Sequence, residues 1–289
     1  MKKITSLLLA LMILGSSFCF ADNISDSRTV IGADLDNDEI NSVYKTFGID
    51  RGEVKELTVT NADERKYLEG QVDESLIGTK SISCIYIEAL DEGKGLDVSV
   101  DNITWCTSDM YMNAMVTAGI TDADVKICAP YKVSGTAALT GIYMAYEDIT
   151  GKKLDEDAKL VGTKELTITA ELADEIGSAD STAIVNELKL ILDETKKMTD
   201  DELREQIKQI AEKYEVTLND SQIDQLISLC RSMEKLDISE LKQKVEEVQQ
   251  YIKNVAETKG NVEKFLSEAA DTVTEFVNKV IDFFKNLFG

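Results

Sequence analysis

The sequence predicts an α+β protein: an N-terminal mixed α/β domain over residues 24–162, an all-helical region over 163–237, and a long amphipathic coiled-coil-like C-terminal tail over 238–289. A signal peptide at 1–21 precedes them. Three observations carry this reading. Short β-like runs, most of the glycines and the single Trp fall before residue 163. After Thr163 apolar residues recur at helical spacing between caps and stops. From Ile238 the apolar positions step by three and four in unbroken phase, the pattern of a coiled-coil seam.

The chain opens "MKKITSLLLALMILGSSFCFAD". Lys2 and Lys3 form a basic segment, Ile4 to Leu14 an apolar one, and Cys19 and Ala21 are small residues before a cut at Asp22, as in a secretory leader. The apolar run is short for a membrane span. Next, "VKELTVT" alternates like a strand, and in "NADERKYL" Asn61 and Glu64 have the spacing of a capping box. "KSISCIYIEAL" and "GLDVSVDNI" flank "DEGKG", which reads as a β-hairpin. A helix capped by Thr107 or Ser108 and ended by Gly119 leads to the strand "DVKICA". "SGTAALTGIYMAYEDITG" then reads as a buried helix, uncharged from Thr136 to Tyr146.

In the helical region, "TKELTITAELADEIG" runs from a Thr cap at 163 to a stop at Gly177. Thr199 with Glu202, and Asn219 with Gln222, box the starts of two later helices. The tail seam is apolar from Ile238 to Leu287 except at Lys259. Gly260 and Asn261 would allow a helical hairpin, but the unbroken phase favours one continuous or kinked helix.

Composition excludes several chemistries. Against 31 basic residues stand 54 acidic ones, a formal charge of −23, and cleavage would remove two lysines more. Such a surface repels nucleic acid and anionic headgroups, so no nucleic-acid partner is expected. After leader cleavage no membrane contact is expected either, because the tail carries more acids than lysines. There is no histidine, which removes Ser-His-Asp and Cys-His catalysis and His-ligated zinc. No cofactor is expected. Cys84, Cys106, Cys128 and Cys230 survive leader cleavage and form no C-x-x-C pair. Export permits disulfides and four cysteines allow three connectivities, but buried free thiols are expected.

Two stretches resemble sites. "APYKVSGTAALTG" holds the only proline and has the order strand, small-residue turn, helix. Lys132, Ser134, Gly135 and Thr136 there would offer a lysine and free backbone N–H groups to an anion or other ligand. The P-loop spacing is absent, and a capped helix packed closely through Gly135 explains the same residues. In "DLDND", Asp34, Asp36 and Asp38 have the alternation that opens a calcium loop. Glu39 and Lys45 stand where that loop needs Gly and Glu, so no metal is expected. Ser232 and Lys235 fit S-x-x-K without its companion motifs. The acid pairs Asp63–Glu64 and Glu147–Asp148 are ordinary for so acidic a chain.

The stretch "NITWCTSDMYMNAMVTAGITDADVKICAPYKVSGTAALTGIYMAYEDITGKKL", with "VTNADERKYLEG" and "IGTKSIS", resembles the YpuA-like family of secreted bacterial proteins, a domain of unknown function numbered 1002. The likeness runs from about Gly32 to Leu236. It implies export, mainly from Gram-positive bacteria, and supplies no catalytic residues to carry over. The expectation is an exported, non-enzymatic binding or assembly protein of the cell envelope, with self-association or a protein partner engaged through the 238–289 seam. An exported hydrolase or small-ligand-binding protein using Lys132 to Thr136 is the alternative.

Overall fold

A computed structural model describes residues 26–70 and 74–259. The leader and seam positions after Lys259 lie outside the described residues.

The first half runs β1 (Ser27–Gly32), α1 (Asn37–Phe47), β2 (Lys55–Val59), α2 (Asn61–Leu68), α3 (Glu74–Ile77), β3 (Cys84–Ala89) and β4 (Leu96–Ile103). It continues with α4 (Ser108–Thr117), β5 (Ala123–Val133) and α5 (Ala138–Thr150). The helical half comprises α6 (Glu156–Ile176), α7 (Ser178–Leu190), α8 (Leu192–Thr195), α9 (Asp200–Lys213), α10 (Asp220–Met233) and α11 (Ile238–Lys259).

The five strands form one sheet in the order β2-β1-β3-β5-β4. β1 and β2 are parallel, as are β4 and β5, while β3 runs antiparallel to both β1 and β5. The carboxyl ends of four strands therefore share one edge of the sheet. The hairpin expected around "DEGKG" does not form, because β5 lies between β3 and β4. The start of β5 holds both neighbours: Leu90 N donates to Asp122 O, Ala123 N to Gly95 O, and Gly95 N to the Asp122 carboxylate at 2.8 Å. A central strand satisfies both of its edges, and a glycine loop between two strands does not oblige them to pair. Pro130 is tolerated because it lies beyond the β3–β5 pairs, which stop at Cys84–Cys128, and beside the register shift between Asp101 and Ile103.

Local chemistry sets the helix starts. Asp36 and Glu39 box the start of α1. The box at α2 uses Thr60 and Asp63, one residue before the expected Asn61 and Glu64. Thr107 caps α4, Thr199 and Glu202 box α9, and Asn219 and Gln222 box α10. α6 begins well before Thr163, with the Asp155 carboxylate accepting from Ala158 N at 2.8 Å. The expected division between residues 162 and 163 thus falls inside a helix. At Gly162 a Cβ would lie 2.6 Å from Ala114 O, so α4 and α6 cross there with no room for a side chain.

Alternation along the strands gives the sheet two faces. Val30, Ile85, Ile87, Val125 and Ile127 point toward α4, α5 and the helical half, in one continuous core that reaches Met233 and the first turns of α11. Ile31, Cys84 and Cys128 point the other way, beneath Val43, Tyr44 and Phe47 of α1. Ile238, Leu241, Val245 and Val248 are buried in the main core, so the seam begins as part of the body. No helix among the described residues is long and apolar enough to cross a membrane.

Candidate functional site

The turn after β5 is built into the core. Gly135 has φ +96°, and a Cβ on it would lie 2.4 Å from Ile103 Cγ2 and 2.5 Å from the Tyr111 hydroxyl. Tyr111 OH donates to Gly135 O at 2.5 Å, and Cys106 N donates to Ser134 O at 3.3 Å. α5 starts at Ala138, and its N-cap, Ala137, supplies no side-chain cap. Gly135 and Thr136 are buried, whereas Lys132 is exposed beside Tyr131. The four residues of this candidate thus divide between core and surface.

The three aspartates after β1 also take separate roles. The Asp34 carboxylate accepts from Ser81 N at 2.8 Å, and Asp36 accepts from the amides of Asp38 and Glu39 at the α1 start. Among the described residues no group of three or more His, Cys, Asp or Glu is arranged to hold a metal ion. Ser232 likewise finds a different lysine from the one its spacing suggests. Lys164 Nζ donates to its hydroxyl at 2.9 Å and to that of Ser228 at 2.7 Å. Both serines lie within α10, where backbone amides are committed to helix bonds and cannot serve an oxyanion. In each acid pair the two members serve different partners. Asp148 holds Arg28 and Lys55 at 2.6 Å, and Glu147 holds Lys153 and Lys159.

Behind the same sheet edge lies a buried carboxyl. Glu64 on α2 is fully buried, with Asn61 Nδ2 3.4 Å from Oε2. Its Oε1 and the Ser81 hydroxyl oxygen have no well-formed hydrogen bond. Burial pushes its pKa up to about 7; Ser81 and Asn61 oppose the rise, and the negative charges of Asp34 and Asp63 add to it.

Between the two halves of the molecule lies a groove of about 430 Å³. Its walls are the end of α4, the loop from α5 into α6, and the turn from α10 into α11. Leu154, Leu236 and Leu241 supply apolar surface, and Lys153, Lys235 and Lys244 bring three cations into a strongly acidic chain. Asp155, Asp157 and Asp237 also line it. Lys244 Nζ lies 3.4 Å from where a Gly119 Cβ would be and pairs with Glu240 at 2.5 Å. Lys153 pairs with Glu147 at 2.6 Å. Asp155 and Asp237 cap α6 and α11, which fixes their carboxylates at the groove. Sequence reasoning missed this groove because its walls come from three separate segments, none with a motif of its own.

A family profile described as "Protein of unknown function (DUF1002)" matches residues 31–251. The chain belongs to the DUF1002 family. It is also similar to the "Uncharacterized protein YpuA" of Bacillus subtilis (strain 168), with 34% identity over 297 residues, covering 100% of this chain and 98% of the relative. No solved structure matches. The family match covers the whole sheet apart from the start of β1, and all the groove residues, so the groove is built within the DUF1002 region.

Proposed function

We propose that this DUF1002 protein is exported, acts at the cell envelope, and works there by binding rather than catalysis, with the groove as its ligand-contacting face. The groove carries the reading. Its volume lies within the roughly 300–1,000 Å³ of small-ligand sites. A lining that mixes lysines, aspartates and leucines suits a ligand carrying both charges and an apolar part, such as a short peptide. The lack of histidine and the leader-like start support the non-catalytic and exported parts of the proposal. The seam beyond Val248 is proposed as a self-association or partner surface, the first turns of α11 being engaged by the body.

Calorimetric titration of the full chain with a panel of short peptides tests the groove. Binding lost in a Lys235→Glu, Lys244→Glu variant that keeps wild-type stability is the expected result. Unchanged affinity in that variant, or no binding across the panel, would refute it. N-terminal sequencing of the protein recovered outside the producing cells tests export, with Asp22 expected as the first residue.

A further inference from the structure

Cys84 and Cys128 are directly opposed in the antiparallel pairing of β3 with β5. Opposed residues in such a ladder have Cα atoms about 4.5–5.5 Å apart. A disulfide spans Cα separations of about 4.4–6.8 Å. Both side chains leave the sheet on the same face and enter the same small apolar cluster under α1. Cys84 Sγ lies 3.4 Å from Gly32 N and 3.5 Å from Ile82 O, its only polar neighbours within hydrogen-bond reach among the described residues. Cys106 and Cys230 belong to the other core, on the opposite face of the sheet. All four are free thiols in the structure.

We propose that Cys84 and Cys128 form a cross-strand disulfide when the chain folds under oxidising conditions, while Cys106 and Cys230 stay reduced. The oxidant is a disulfide, either of an extracytoplasmic thiol–disulfide oxidoreductase or of a small thiol such as glutathione. One cysteine thiolate attacks it and releases the first oxidant thiol, leaving a mixed disulfide. The second thiolate then displaces the other oxidant thiol and closes the Cys84–Cys128 bond. Two protons and two electrons leave the protein, and the oxidant becomes two thiols.

Folding order governs the step. With α1 docked, both sulfurs are buried, and burial pushes the Cys84 thiol up to about 12 and the Cys128 thiol higher still. Thiolate is the attacking species, so the bond forms before α1 closes over the pair and is shielded afterwards. The expected buried free thiols thus describe the reduced protein. Export decides where oxidation happens in the cell, but the pairing itself is testable without it.

The test is to unfold and reduce the full chain, refold it in buffer with excess glutathione disulfide, alkylate, and digest with trypsin. Cys84 falls on the peptide after Lys80 and Cys128 on the peptide from Ile127 to Lys132, so mass spectrometry distinguishes the pairings. The expected product is a linked pair of these two peptides, with Cys106 and Cys230 alkylated. The oxidised wild type should also melt several degrees above its reduced form, a difference absent from the Cys84→Ser, Cys128→Ser variant. Alkylation of both Cys84 and Cys128 in the refolded protein, or links through Cys106 or Cys230, would overturn the proposal.

Discussion

Replacing Glu64 with Gln removes one ionisable group from the interior and leaves its shape. In the folded protein this carboxyl titrates at about 7, against an ordinary 4.5. A folded-state pKa above the unfolded one means that the native state binds the proton more tightly. Glu64 therefore contributes its full stability below about pH 4.5 and loses it as pH rises through about 7. At 1.36 kcal/mol per pKa unit the loss is about 3 kcal/mol by pH 8.5. Glu64→Gln should match wild type at pH 3.5, where both side chains are neutral in the folded and unfolded states, and exceed it by about 3 kcal/mol at pH 8.5. Urea unfolding of both proteins at half-unit steps of pH measures this difference, and the titrations they share cancel. The absence of histidine leaves few other groups titrating between pH 6 and 8. Stability curves that stay parallel from pH 3.5 to 8.5 would refute the argument.

Four further outcomes are expected. Lys189 and Glu165 form a buried ion pair at 2.5 Å, joined by Thr117 and by the Asn113 carbonyl oxygen. Lys189→Met alone should cost about 3–5 kcal/mol by leaving a lone buried carboxylate, and Glu165→Leu with Lys189→Met should recover most of it in a double-mutant cycle. Gly135→Ala should cost roughly 2–5 kcal/mol in urea unfolding, because its Cβ would meet Ile103 and Tyr111 at a positive φ. A chain ending before Ile238 should lose stability, each of its four buried seam residues contributing about 1.5–3 kcal/mol. A chain ending at Lys259 should keep its melting temperature, and sedimentation should show a smaller assembly than full length if the seam self-associates.

The parts of this fold that sequence revealed are those fixed by neighbours along the chain. The boxes at Thr199 and Asn219, the stop at Gly177 and the strand character of 84–89 and 123–128 rest on adjacent residues. Pairing of β3 with β5 rather than β4 was hidden, because a turn between two strands also fits a strand inserted from downstream. The early start of α6 was hidden by charge: "GKKLDED" looks like a solvated loop, yet Asp155 within it is the cap. Glu165 and Lys189 left a faint trace. Each interrupts an apolar helical stripe, Val161–Ile168–Leu172 and Val185–Leu188–Leu192, but only their meeting across two helices makes either one buried. At the candidate turn, the small residues of "SGT" and the glycine were visible, while the packing of Ile103 and Tyr111 against that glycine was not. The groove had no local signature at all.

The insertion of β5 between β3 and β4 also sets the order in which the sheet can assemble. Strands three and four are finished within residues 84–103, yet neither can take its native partner on that side until residues 123–133 are present. β3 can settle early against β1, but its other edge waits, and β4 has no native partner at all in the interval. Non-local pairing of this kind slows folding relative to a hairpin meander. A chain released from its N-terminus onward passes through a stage in which apolar strands stand with open edges, the state most exposed to aggregation. β5 is therefore the strand whose docking completes the sheet: without it neither the second edge of β3 nor β4 has a native partner.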